Sequence, residues 1–392
     1  MIRFGISFIL IFMLLSFDSM AQMPMVTISW KKIAEVPKGG TYQKSLGLAG
    51  AINGVNNNVM IIAGGSNFPN GLPWEGGQKV YYDQIFVLEK KDEEYCWNKK
   101  VTSVLPKPIA YCGNTSTPSG IVYVGGEKEK GISNKCFLLK WNEKENVVEV
   151  QPLPDLPLAL TNVAVTNIGN EVYAVGGDEE KTSSNSFFSL DLKDKNPDWK
   201  KLSDLPIALA NATAIAQNGK FGKEIFIIGG RSKTSSGISD LHNTTFAFDL
   251  QKQQWRKCAD ISDGKNTTNL SAASGVAFGE NEILITGGDN GKTFHQIEIL
   301  ISKIASAKSP EEKAKLTREK NNLSIHHEGF DKSLLLYNTN GDAWTKIGAL
   351  PFLAHVTTTD VLWGNKIIIS NGEIKPGIRT PDVMMGKVIQ KK

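Results

Sequence analysis

Cysteine and histidine are scarce in this chain, four and five among 392 residues. Cys96, Cys112, Cys136 and Cys258 show no CxxC spacing, which removes a thiolate metal site and thioredoxin-like redox chemistry. They read mostly as small buried hydrophobes; a chain of this size buries ample core without a disulfide. His326-His327-Glu328 lacks the i, i+4 spacing that sets two ligands on one helix face, so no metal is expected, and no cofactor. An excess of one charge is missing too. Lys and Arg total 44 against 40 Asp and Glu, a net of +4. With no basic run interleaved with aromatics, neither nucleic acid nor a membrane surface is expected as a partner.

What is present begins with a leader-like segment. Arg3 supplies a positive start, Phe4–Phe17 an apolar stretch, and Ser19-Met20-Ala21 a small-residue cleavage site. The stretch is short for a membrane span and polar sequence follows at once. Residues 1–21 are therefore expected to be a signal peptide and residues 22–392 an exported periplasmic protein.

Six times a short β-prone apolar run ends in a pair of small turn residues. The pairs are Gly64-Gly65, Gly125-Gly126, Gly176-Gly177, Gly229-Gly230, Gly287-Gly288 and Asn371-Gly372. Their first members lie 61, 51, 53, 58 and 84 residues apart. A period near 50 made of strands marks a repeat architecture. Downstream of each pair comes another strand, such as Phe187–Leu192 or Thr245–Leu250, and then a Trp. Trp97, Trp141, Trp199, Trp255 and Trp344 fill that place, usually ahead of a Leu-Pro step. A further apolar strand follows, as in Leu160–Thr166 or Ala210–Ala216. The unit is thus four strands with the Trp on the last, and such units set radially make a propeller. The Trp residues are expected to pack between blades.

The last unit ends after His355–Trp363, Lys366–Ser370 and Val383–Ile389, with no Trp strand of its own. Val26–Ile33 stands orphaned at the start, and pairing it with the last unit would remove the open edge. The fold expected is an all-β, six-bladed propeller closed by its N-terminal strand. The fifth unit carries extra residues, about 296–330. Ser309-Pro310-Glu311-Glu312 reads as a helix start within it, so Ile301–Asn321 is expected to be helical. A solvated decoration, a lid over the axial opening and a homodimer contact all remain open for that insertion.

Propellers bind ligands where loops from all blades converge. Residues just after the pairs share one loop class, hence one face: Ser66-Asn67, Glu127, Asp178, Arg231, Asp289 and Glu373. Tyr111, Asn162, Asn211 and His355, at the starts of innermost strands, are expected at the same mouth. That makes a polar funnel of mixed charge, suited to a small hydroxylated ligand.

Within this pattern, Asn371-Gly372-Glu373-Ile374-Lys375-Pro376-Gly377-Ile378-Arg379-Thr380 is the most distinctive stretch. The Gly-Gly and Trp repeat resembles the kelch propellers. The stretch itself is similar, nearly residue for residue, to a motif of the N-acetylneuraminate epimerases (sialic acid mutarotases). Ile109-Ala110-Tyr111 with Gly125-Gly126-Glu127 resembles that family's tyrosine-bearing strand and Gly-Gly-Glu turn. Ala63-Gly64-Gly65-Ser66-Asn67-Phe68 with Gly76-Gly77-Gln78-Lys79 and Tyr82 resembles its long Gly-rich loop. The resemblance implies Glu373 and Arg379 as the catalytic pair. Asn67, Lys79, Tyr111, Glu127, Asn162, Arg231 and His355 are the expected substrate contacts, and a sialic acid is the implied ligand. The Glu/Arg unit lies mid-chain in better-known members and last here, an order that implies a cyclic permutation, which a closed ring tolerates.

The residues support such chemistry on their own terms. Mutarotation of a 2-keto sugar acid opens the ring at the anomeric carbon and recloses it on the other face. That takes a base for the anomeric hydroxyl and an acid for the ring oxygen. A carboxylate serves as the first, and an Arg beside it can hold the substrate carboxylate bidentately. Glu373 and Arg379 straddle a Lys-Pro-Gly turn that can fold back and present both. A sialidase would need repeated Asp-box turns and an arginine triad, and neither is visible. A copper radical oxidase would need His and Tyr ligands, for which five histidines are thin provision. The standing alternative is a non-catalytic propeller that binds glycan or protein at the same mouth.

Overall fold

Six four-stranded antiparallel sheets follow one another around an axis in the computed structural model, which describes residues 26–38 and 45–390. The leader-like segment 1–21 lies outside the described residues. The innermost strands are Ile52–Asn56, Gly113–Thr117, Ala164–Ile168, Thr213–Gly219, Ser274–Phe278 and Val361–Trp363. Each leads outward through its sheet in chain order, as in blade 4, where Thr213–Gly219, Gly222–Ile228, Thr245–Asp249 and Gln254–Lys257 are neighbours. The sixth sheet breaks that rule. Its outermost strand is Val26–Glu35, which runs antiparallel to Asp382–Gln390 with one bulge between Lys32 and Ala34. The first and last described strands are hydrogen-bonded to each other, so the ring has no free edge at that seam.

The core is a set of six apolar layers between blades. Ile52, Ile61, Ile121, Tyr123, Leu139 and Trp141 pack blade 1 on blade 2, and equivalent clusters repeat around the circle to Met60, Ile62, Val361 and Trp363 between blades 1 and 6. Four tryptophans staple the layers with the same bond. The indole N–H of Trp97, Trp199, Trp255 and Trp344 donates to a carbonyl at the end of the preceding blade: Glu35, Pro154, Ser203 and Ala259. Blade 2 differs from expectation. Trp141 sits on its third strand, Cys136–Asn142, and the outer strand is Val147–Leu153. Trp141 is nonetheless buried in an inter-blade layer.

The glycine pairs close those layers at one face. At Gly125 (φ +66) a Cβ would lie 2.2 Å from the Leu160 carbonyl oxygen of the next blade, so no side chain fits there. The second glycine then donates its N–H across the same joint, Gly126 to Leu160 at 2.8 Å and Gly372 to Leu48 at 2.7 Å. Just inside this joint a second circle forms. Gly50, Tyr111, Asn162, Asn211, Ala272 and Thr357 all have φ between +53° and +63°. Each N–H in that set donates to the carbonyl of the preceding member, and Gly50 closes the circle on Thr357 at 2.7 Å. Of these six left-handed residues, Tyr111, Ala272 and Thr357 are neither Gly nor Asn, and the closed hydrogen-bond belt holds their backbone strain in place.

Below the belt the axis is a channel of about 380 Å³, walled by the belt and by the innermost strands with apolar and polar surface in near-equal share. One carboxyl lines it. Asp360 is 5% exposed, accepts the Thr286 hydroxyl at 2.6 Å through Oδ2 and leaves Oδ1 without a partner. Burial pushes its pKa up to about 7. A raised folded-state pKa means that the neutral acid is the form the fold prefers. The stability it withholds grows as pH rises from the unfolded value, about 3.9, through 7. Asp360→Asn is therefore expected to stabilise by a few kcal/mol at pH 8 and to flatten the loss of Tm between pH 5 and 8 in calorimetry. An unchanged pH slope would show that Asp360 is not the titrating group.

The insertion in blade 5 is a helical hairpin, α1 (Lys292–Ser306) and α2 (Pro310–Ile325), between strands Glu282–Thr286 and Ser333–Asn338. Ser309 caps α2, its Oγ accepting the Glu312 N–H at 3.1 Å. The expected helix, Ile301–Asn321, spans the break between the two. α1 begins after Gly291 (φ +88) with no side-chain cap, which is why its start leaves little trace in the sequence. Glu298 of α1 accepts both the N–H and the hydroxyl of Ser239, at 2.7 and 2.8 Å, and so leans the hairpin on blade 4.

Candidate functional site

Six equivalent backbone bridges carry the mouth of the propeller. Residues following the glycine pairs each bridge to the residue preceding a belt member: Ser66 to Ala49, Glu127 to Ala110, Asp178 to Thr161, Arg231 to Ala210, Asp289 to Ser271 and Glu373 to Val356. From three of these positions short two-stranded ribbons continue: Ser66–Asn67 with Val80–Tyr81, Arg231–Ser232 with Asp240–Leu241, and Glu373–Lys375 with Ile378–Arg379. The charged groups belong to this rim. Glu373 and Arg379 do not line the axial channel, whose walls are mostly small residues, polar and apolar alike.

In the blade 6 ribbon Glu373 and Arg379 are direct cross-strand partners, which sets both side chains on one face. Pro376 and Gly377 occupy the two central places of the turn, and Gly377 has φ +78, the value a type II turn requires there. A Cβ at Gly377 would come within 2.9 Å of the Pro73 ring, so the turn docks closely on the Pro73–Glu75 segment of blade 1. The Gly377 N–H donates to Glu373 Oε1 at 2.5 Å, fixing the carboxylate from the turn side. Arg379 Nη1 lies 3.5 Å from that same Oε1, near enough for an ion pair but long for a hydrogen bond. Its guanidinium rests 4.5 Å above the Phe68 ring. Although the side chain is only 4% exposed, Nε and Nη1 have no hydrogen-bond partner. Buried donors left open are costly, and an anion satisfies them best.

The remaining rim residues fall into groups. Lys79 Nζ is 3.2 Å from Glu127 Oε1 and 5.0 Å above the Tyr111 ring. The Tyr81 hydroxyl donates to the same Glu127 oxygen, and burial followed by that contact raises its pKa. Ser66 Oγ donates to the Tyr111 hydroxyl at 3.2 Å. Across the mouth Asp178 gathers Arg231 Nη2 at 2.6 Å, Ser183 Oγ at 2.9 Å and Asn162 Nδ2 at 3.4 Å. Arg231 is thus already engaged within the protein, in contrast to Arg379.

Two expected contacts sit elsewhere. Asn67 is 6% exposed, donates to the Gly47 carbonyl at 3.1 Å and accepts the Tyr82 hydroxyl at 2.6 Å. It braces the blade 1 ribbon from inside. His355 is 4% exposed, lies 5.5 Å from Phe352, and burial pushes its pKa down to about 4. The belt position of blade 6 belongs to Thr357 instead. One more residue separates Pro351 from the bridge at Val356 than separates Pro106, Pro157 or Pro206 from theirs, so His355 falls in the core place that Leu160 and Leu209 fill in other blades.

Sequence reasoning passed over Tyr81, Phe68 as a seat for Arg379, and His327. The last follows α2, and burial lowers its pKa; Asp289, Lys375 and Glu373 also bear on it. Its Nδ1 accepts the Gly329 N–H at 3.0 Å, which assigns the proton of the neutral ring to Nε2. Nothing in the local spacing announces it, because the insertion brings it to the rim from outside the repeat.

The chain matches the family described as N-acetylneuraminate epimerase over residues 18–148 and 153–392. Among curated proteins it is similar to an N-acetylneuraminate epimerase of Brucella melitensis, 29% identical over 238 residues, 60% of this chain and 58% of that protein. Similar too are proteins of that name from Haemophilus influenzae, 27% over 242 residues, 62% and 60% of the two lengths, and Salmonella typhimurium, 29% over 229 residues, 58% and 56%. Each match spans less than two thirds of the relative's length.

Proposed function

The chain belongs to the N-acetylneuraminate epimerase family, and from that premise we propose that it interconverts the α and β anomers of N-acetylneuraminate by opening and reclosing the pyranose ring. The observation that carries this reading is the blade 6 ribbon, where a carboxylate and a buried guanidinium with open donors oppose each other. In a 2-keto sugar acid the carboxylate and the anomeric hydroxyl sit on adjacent carbons. A cation and a base on directly opposed residues can reach both at once. Arg379 takes the carboxylate through its fork, and Glu373 receives the proton of the anomeric hydroxyl. Loss of that proton turns the anomeric carbon into a carbonyl as its bond to the ring oxygen breaks, the electron pair staying on that oxygen, which takes up a proton from an acid. Rotation about the next carbon–carbon bond presents the other face, and reclosure returns the proton from Glu373. Lys79, Tyr111, Glu127, Asn162 and Arg231 form the hydrogen-bonding wall for hydroxyls and the acetamido group, whereas Asn67 and His355 support the frame. Export to the periplasm, under the signal at residues 1–21, is part of the same proposal.

The test is direct. NMR of freshly released α-N-acetylneuraminate should show the α-anomer disappearing several-fold faster when the purified protein is added. Binding with no change in that rate would make the mouth a lectin-like site and retire the enzymatic reading.

A further inference from the structure

Four of the six rim positions hold acids, and three of them have a cation. Glu127 has Lys79 at 3.2 Å, Asp178 has Arg231 at 2.6 Å and Glu373 has Arg379 at 3.5 Å. Among the described residues Asp289 has no ion pair. Its one side-chain hydrogen bond there is from the Gly291 N–H to Oδ1, at 2.8 Å. It occupies in blade 5 the place that Glu373 occupies in blade 6, through the same bridge. A cation beside a carboxylate favours the charged form that a base needs, and its absence suits a group that must carry a proton.

We propose that Asp289 is the acid that protonates the ring oxygen as the pyranose opens, opposite Glu373 as base. This deepens the reading given above and rests on it. In the opening step Glu373 takes the proton from the anomeric hydroxyl, whose O–H electrons become the second bond of the carbonyl. The bond from the anomeric carbon to the ring oxygen breaks, its electron pair stays on that oxygen, and the Asp289 proton joins it. Closure runs the same transfers backwards on the other face: the hydroxyl returns its proton to Asp289, and Glu373 returns its own to the carbonyl oxygen. Proton count and charge are restored after each turnover.

The surroundings fit that role. Burial raises the Asp289 pKa and the nearby charges of Glu373 and Glu298 add to the rise, against the Gly291 N–H and His327, which lower it. Glu298 is held by Ser239, and His327, itself kept neutral by burial, offers Nε2–H rather than a second base. The activity that needs protonated Asp289 should therefore fall as pH climbs through a value above the ordinary carboxylate range.

The experiment compares wild type with Asp289→Asn and Asp289→Glu, measuring anomer interconversion from pH 4 to 9 by NMR and N-acetylneuraminate affinity by calorimetry. Asparagine keeps an acceptor for Gly291 and cannot supply the acid. Its kcat is expected to drop about 100-fold with Kd changed less than about threefold, and the alkaline fall of the profile should vanish. Glutamate should recover part of the rate. Full rate with an unaltered profile in Asp289→Asn would overturn the assignment, and so would an equal loss of binding and rate. If wild type itself accelerates nothing, the parent reading fails and takes this one with it; the wild-type trace separates that failure from the others.

Discussion

Glu373→Gln is expected to lower kcat for anomer interconversion by about 10²–10⁴, the range a positioned general base supplies, while the fold and the sugar affinity persist. Glutamine keeps the carbonyl oxygen that can accept from Gly377 N–H, so the ribbon and its turn retain their main tie. What disappears is the capacity to take a proton. The bridge to Val356 is made by backbone atoms and does not depend on the side chain. Glu373→Ala removes both functions, and it should lose the same rate and also some melting temperature. Comparing the two variants by NMR kinetics and thermal melts separates the chemistry from the scaffold. A glutamine variant that interconverts anomers at the wild-type rate would remove Glu373 from the mechanism, and the ribbon would become a binding element only.

Much of this frame is legible in the sequence because a repeat writes the same physical demand six times. The glycine pairs recur because a neighbouring carbonyl presses on the first and the left-handed backbone excludes most side chains. Four of the tryptophans recur because their indoles bridge to the blade before them. The ribbon is readable in part. Pro-Gly in the turn sets Lys375 against Ile378, which alone would leave Ile374 facing Arg379. A shift of register between Glu373 and Lys375, silent in the sequence, brings Glu373 opposite Arg379. Other features hide for equally physical reasons. The hydrogen-bonded belt uses backbone atoms, so Ala272 and Thr357 give no sign of membership. A single extra residue after Pro351 shifts His355 out of the rim and into the core. Trp141 stands one strand early, and its distance of 15 residues to Leu156, against 8, 6 and 6 from Trp97, Trp199 and Trp344 to their Leu-Pro steps, is the one trace of this in the sequence. Partners drawn from segments apart in the chain, such as Tyr81 on Glu127 between blades 1 and 2 or His327 brought toward Asp289 by the insertion in blade 5, exist only in the folded chain.

Arg379 offers the second large effect, and it can be told apart from every other cation at the rim. If its open Nε and Nη1 donors bind the substrate carboxylate, wild type should process the free acid far better than its methyl ester. Arg379→Ala should lose about 10²–10³ in kcat/KM on the acid, in line with the 2–5 kcal/mol typical of truncating a buried charge-paired partner. On the ester the same change should cost little, because the ester never offered the charge. Arg379→Lys should fall between, its compact ammonium lacking the planar fork and fitting less well above Phe68. Glu373 would meanwhile lose its cation in the alanine variant, so a cycle with Glu373→Gln should be non-additive. The contest is with Arg231 and Lys79, which are already committed to Asp178 and Glu127. Should Arg379→Ala keep the wild-type preference for acid over ester, one of those two must exchange its internal partner for the substrate, and the carboxylate would bind away from the blade 6 ribbon.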